Sequence, residues 1–178
     1  ILVGVQIRIW WLALGSANVS LVENFANWTP AVLLSGEVFR LLSMGFIQTD
    51  LIHLGLNMIW LAYVGTHLER FMGRTHLLLL FVLAVLCGSA CSVLLGPTQP
   101  SIGASGGVFG LIGCAVFVGW LRPELVSTSA RTVFGWALAP YLLVMLISGF
   151  FHEQTDNWAH LGGLGAGVMT ALFFHPQH

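Results

Sequence analysis

The sequence predicts an all-α fold of six membrane-crossing helices, and three observations predict it. Of 178 residues, 57% are hydrophobic and only 7% are charged, whereas a soluble domain carries about a quarter charged residues to face water. Mean hydropathy is +0.88. The apolar residues gather into six segments, 1–22, 51–68, 77–95, 103–121, 133–151 and 158–174, each near the roughly 20 residues that a helix needs to cross a bilayer.

The first segment is the least regular. Gln6, Arg8 and Asn18 interrupt it, and an intramembrane Arg needs a partner or a path to the interface. No cleavable signal peptide is expected, because Arg8 lies inside the apolar stretch and no small-residue cleavage pattern follows. Residues 24–50 form a long first loop whose Trp28, Pro30, Gly36 and Phe46 place it partly in the membrane interface. Cys87 and Cys91 in the third segment and Cys114 in the fourth read as small packing residues. Segments four and six are rich in glycine, which is favoured where membrane helices approach closely. Connections after the second segment are short and no linker divides the chain, so 1–178 is expected to be a single membrane domain.

The six basic residues are all Arg and the net charge is −1. Without a basic cluster to track a phosphate backbone, nucleic acid is excluded as a partner. Arg70 and Arg74 follow segment two, and Arg122 and Arg131 lie between segments four and five. The opposite loops hold Arg40 among Glu23, Glu37, Asp50, Glu153 and Asp156. Since short cytoplasmic loops retain positive charge, the amino terminus and the Arg-bearing loops are expected in the cytoplasm. Segments two, four and six then begin at the same outer depth.

The polar residues of the spans sit at that depth. His53 and Asn57 open segment two, Ser105 opens segment four and His160 opens segment six. Peptide hydrolysis needs a nucleophile, a base and donors for the oxyanion. A serine hydroxyl is inert without an adjacent base, and imidazole, titrating near neutrality, makes His160 the best-placed one. The Ser105 amide, at a helix start, lacks an intrahelical partner and can face an oxyanion. His53 and Asn57, four apart on one helix face, add side-chain donors. Each residue alone has a bland reading: a Ser bonded to its i−4 carbonyl, a His–Asn pair that only joins helices, a packing or pH-sensing His160. Three sequence-distant polar sets at one depth favour chemistry. No metal or other cofactor is expected: His53 is followed by Leu54-Gly55-Leu56-Asn57, not by a zinc-protease pattern. Carboxylates for an aspartyl dyad are likewise missing from the spans. Asp156, four residues before His160, reads as an exposed helix cap rather than a triad acid, which leaves a Ser–His dyad.

These motifs resemble the rhomboid protease family. Its Gly-x-Ser-Gly-x-x-x-Gly appears as Gly103-Ala104-Ser105-Gly106-Gly107-Val108-Phe109-Gly110, its His-x-x-x-Asn as His53 to Asn57, and its Ala-His-x-x-Gly-x-x-x-Gly as Ala159-His160 through Gly163 to Gly167. The resemblance implies a rhomboid-like fold with Ser105 as nucleophile, His160 as base, and His53, Asn57 and the Ser105 amide as the oxyanion hole. It also implies tight packing of Gly163 and Gly167 on segment four near Gly106 and Gly110. The family's first-loop Trp-Arg pair corresponds to Phe39-Arg40, with Glu37 keeping the acidic position, and a frequent Tyr after the nucleophile is Phe109, which keeps a ring against His160. Glu69 matches a structural loop acid. Expected partners are the bilayer and transmembrane protein substrates, reached past segment five and the loop 152–158, in a bacterial inner membrane with the site opening outward. The alternative is a catalytically silent rhomboid-like protein that binds membrane clients, usually marked by loss of the Ser or His. A small transporter lacks support in any inverted repeat or charged central site.

Overall fold

The computed structural model describes residues 2–4, 6–8, 18–48, 50–96, 99–128, 130–131, 134–135, 137–152 and 155–173. Half of the first expected crossing, 1–22, lies outside them; within it residues 2–4, 6–8 and 18–22 are helical. The described helices are α1 (Asn18–Phe25), α2 (Thr29–Leu33), α3 (Arg40–Ser43), α4 (Leu51–Leu95), α5 (Ser105–Leu121), α6 (Ala139–Gly149) and α7 (Asn157–Phe173), with short 3₁₀ turns at Met44–Phe46 and Pro123–Leu125. No strand occurs among the described residues beyond one bridged pair, Asn27 and Ser101.

α4 contains both the second and the third expected crossings. Its 45 residues are broken at one point, Gly73, whose φ of 82° and ψ of 162° are open to glycine and strained for other residues. The expected loop at 69–76 is therefore almost entirely helical, and the chain reverses about a single residue. Glu69 bonds Arg74 across this turn at 3.3 Å, on the surface. Asp50 caps the start of α4, its Oδ1 accepting from the amides of Ile52 at 2.8 Å and His53 at 2.9 Å.

The fifth expected crossing, 133–151, is corrected to a shorter helix. α6 runs for 11 residues, about 16 Å at 1.5 Å per residue, or half the hydrocarbon thickness. Gly135 upstream has a φ of +104°, which no helix continues through, and Pro140 in the first turn of α6 suits a helix start. α5 and α7 run for 17 residues each, within the regions of the fourth and sixth expected crossings.

α5 sits at the centre. Twelve of its residues are buried, from Gly106 to Val118, between the second half of α4 and α7. A lipid solvent provides no hydrophobic drive for such packing, so close backbone approach through small residues supplies it. The lipid-facing side carries large apolar groups: Ile52, Leu56 and Ile59 on α4, Leu143, Val144 and Ile147 on α6, and Phe150 and Phe151, the last 80% exposed. A monomeric protein in water does not present apolar surface on that scale.

The first loop is a folded cover. Arg40 Nε bonds Glu37 at 2.6 Å, while its Nη1 donates to the carbonyls of Glu23 and Ala26, both at 3.0 Å. Phe39 is half exposed and packs edge-on against Phe25 at 6.2 Å. Asn27 and Ser101 exchange backbone bonds of 2.9 Å, tying this loop to the segment before Ser105. Arg40→Ala removes the donor of two carbonyls, at least one of them buried, so it is expected to cost about 2–4 kcal/mol and to lower the melting temperature in detergent. Arg40→Lys, a single-point donor, recovers only part of the loss.

Candidate active site

Ser105 is the first residue of α5, reached through a turn that only glycine fits. Gly103 has a φ of +130°, and its amide donates to Met44 O at 2.9 Å. A Cβ at Gly103 would stand 2.7 Å from Cε1 and 3.0 Å from Nε2 of His53, and 3.7 Å from Ser105 Oγ. The absent side chain is thus what lets the His53 ring lie beside the serine hydroxyl. The first amide bond of α5 runs from Val108 to Ala104 O at 3.0 Å, so the amides of Ser105, Gly106 and Gly107 precede it at the positive end of the helix dipole.

His160 lies in the first turn of α7 and is buried. Its Nε2 is 2.9 Å from Ser105 Oγ. The Phe109 ring stacks on the imidazole at 4.2 Å with an interplanar angle of 8°, one turn below the serine on α5. The ring is therefore held in plane on one face. A hydroxyl bonded to an imidazole nitrogen in a largely buried setting can lose its proton to that nitrogen as it attacks a carbonyl.

The two helices approach closely beneath this contact. A Cβ at Gly163 would fall against the Gly106 carbonyl, 2.7 Å from its carbon, and one at Gly167 would stand 2.8 Å from Gly110 C. In return, a Cβ at Gly106 would meet Ala159 O at 3.2 Å and one at Gly110 would meet Gly163 O at 2.9 Å. Backbone thus lies on backbone at Gly106, Gly110, Gly163 and Gly167, beneath the Ser105–His160 pair.

Asn57 is buried one turn below His53, and its Nδ2 donates to Gln48 Oε1 at 2.9 Å. Gln48 Nε2 in turn reaches Gln6 Oε1 at 3.3 Å, and Gln6 Nε2 donates to Gly45 O at 2.7 Å. This chain of buried amides orients Asn57 and leaves its second Nδ2 hydrogen for another acceptor. Sequence reading passed over Gln48 and treated Gln6 as an interruption of a span. The available signal was that both are amides within apolar surroundings, where an unpaired amide is costly.

Asp156 caps α7, accepting the Ala159 amide at 3.0 Å, and it also takes a hydrogen bond from the Ser92 hydroxyl. It is half-buried rather than exposed, because Ser92 on α4 closes over it. The group beside Nδ1 of His160 is a different residue, absent from the sequence reading: Asn157 Oδ1 lies 3.3 Å away. Glu37, Phe39 and Arg40 belong to the first-loop cover, where their side-chain contacts run to one another and to Glu23, Phe25 and Ala26. Part of the 152–158 loop, residues 153–154, falls outside the described residues.

Comparison with known proteins adds kinship to this geometry. Residues 35–177 match the family model described as a rhomboid domain. Rhomboid protease GluP of Bacillus subtilis is 32% identical over 88% of the chain and 30% of its own length. RHOMBOID-like protein 4 of Arabidopsis thaliana is 32% identical over 93% of the chain and 42% of its length. Rhomboid protease GlpG of Yersinia pestis is 29% identical over 77% of the chain and 48% of its length. The chain therefore spans less than half of each of these relatives. They come from bacteria and a plant alike, so kinship does not single out a bacterial membrane.

Proposed function

Because the chain belongs to the rhomboid family of integral membrane proteins, we propose that it is an intramembrane serine endopeptidase, with Ser105 as nucleophile and His160 as general base. The observation that carries the reading is the 2.9 Å contact between His160 Nε2 and Ser105 Oγ, made by residues 55 apart at the starts of two apolar helices. In the forward step the hydroxyl oxygen bonds to the scissile carbonyl carbon while His160 takes its proton. The proton then passes to the departing amine, leaving an acyl-enzyme on Ser105. Water attacks the ester with His160 again as base, which restores the serine. The negative oxygen of each tetrahedral intermediate is met by the Ser105 amide and by donors from His53 and Asn57.

The substrates are membrane-anchored proteins cut within or beside their transmembrane segments. Helix-destabilising residues at the cut follow from the chemistry, because an intact helix keeps its carbonyls in its own hydrogen bonds. We place the site towards the outer face, with the amino terminus and the Arg-bearing loops in the cytoplasm, on the arginine distribution.

Cleavage of a model transmembrane substrate in liposomes, together with labelling by a fluorophosphonate, tests the reading. The parent protein is expected to cut the substrate and to carry the label on Ser105 alone. Absence of label, or label on another residue, overturns it.

A further inference from the structure

The side chain of Asn157 is wedged between the base and α6. Its Nδ2 donates to Leu146 O at 3.0 Å, and its Oδ1 faces His160 Nδ1 at 3.3 Å. A carbonyl only accepts, so the Leu146 bond decides which end of the amide faces the imidazole: the oxygen. An amide oxygen also only accepts, so Nδ1 carries the ring hydrogen. The lone pair then sits on Nε2, the nitrogen that faces Ser105 Oγ. Only that tautomer can take the serine proton.

The same amide touches α6 a second time. A Cβ at Gly149, the last residue of α6, would fall on Asn157 Oδ1 and stand 2.9 Å from Thr155 Cγ2. α6 is lightly seated elsewhere: Leu142 and Gly149 are its buried residues, and Tyr141 lies against Trp60 at 3.8 Å between ring centres. Asn157 is therefore a polar tie between this short helix and the helix that carries His160.

We propose that Asn157 is the positioning residue of His160, fixing its tautomer and ring setting, and that it ties both to the seating of α6. Displacement of α6 from Asn157 then loosens the base. The inference rests on the serine-protease reading above and adds to it a device that links the position of α6 to reactivity.

The test compares labelling of Ser105 by a small fluorophosphonate, which needs no transmembrane substrate to enter, with kcat and KM on a transmembrane substrate in liposomes. Asn157→Ala is expected to slow labelling and lower kcat by the same factor, roughly tenfold or more, with KM little changed. Asn157→Asp keeps an acceptor for Nδ1–H but cannot donate to Leu146 O, and is expected to recover labelling to within about threefold of the parent. Gly149→Ala touches neither Ser105 nor His160, yet is expected to slow labelling by pushing the amide aside. Combined with Asn157→Ala it should add nothing, because both changes act through one contact.

Labelling of Asn157→Ala at the parent rate overturns the proposal, as does an Asn157→Asp variant as slow as the alanine. Should Asn157→Ala fail to fold, Gly149→Ala decides: slowed labelling supports the proposal, and labelling at the parent rate ends it. A parent that takes no label defeats the protease reading and this inference together, whereas a labelled parent with an indifferent Asn157→Ala ends the inference alone.

Discussion

Ser105→Ala and His160→Ala are each expected to reduce cleavage of a transmembrane substrate to background, a loss of about 10⁴-fold or more, and the double variant to be no slower than either single one. The expectation follows from their acting as a unit. The hydroxyl is a weak nucleophile unless the imidazole 2.9 Å away removes its proton, and the imidazole has no other route to the carbonyl carbon. Removing either group removes the whole covalent path, so the second removal has nothing left to take. Asn57→Ala differs in kind: it withdraws one oxyanion donor and leaves the nucleophile intact, so it should cost only about 10²–10³ in kcat. Initial rates in liposomes, with the protein amount normalised, check all three. Strong residual cleavage by Ser105→Ala would end the mechanism, and losses in the double variant that multiply would show that the two side chains do not work together.

Some of this arrangement was legible in the chain and some was not, for physical reasons that particular residues make plain. Apolar length marks the crossings, because the bilayer thickness fixes how many residues a helix needs. The Gly-x-x-x-Gly spacings at Gly106 to Gly110 and Gly163 to Gly167 mark which faces approach, because residues four apart share a face. The convergence of His53, Ser105 and His160 was expected from three helices beginning at one depth, and the structure brings these residues together. The local pattern could not carry the partners of the buried amides. Gln6 bonds Gly45 O across 39 residues and Gln48 across 42, distances at which spacing holds no information. Asn157 drew no reading at all, since its contact with α6 depends on a carbonyl that packing alone brings near. The shortness of α6 was hidden as well. Its upstream residues are as apolar as a crossing, while the described helix begins at Ala139, past the positive φ of Gly135. Asp156 read correctly as a cap and wrongly as exposed, because Ser92 belongs to a different helix.

Gly163→Val is expected to slow cleavage about 100-fold while removing no catalytic group. The first added carbon would collide with the Gly106 carbonyl, and this neighbour is main chain in the first turn of α5, one residue after Ser105. A side chain could rotate away; this carbonyl is held by its own helix. Relief requires α5 and α7 to separate at the level of the site, which lengthens the 2.9 Å Ser105–His160 contact, and a misplacement of about 1 Å is worth about 10²-fold. Fluorophosphonate labelling should fall in step with cleavage, since the fault lies in activating the hydroxyl and not in admitting a substrate. Gly165 provides the internal control. It lies two residues along the same helix, a Cβ there meets nothing within 4 Å, and Gly165→Ala should cleave and label as the parent does. If Gly163→Val matched the parent as well, close contact between α5 and α7 could not be what sets the distance between nucleophile and base.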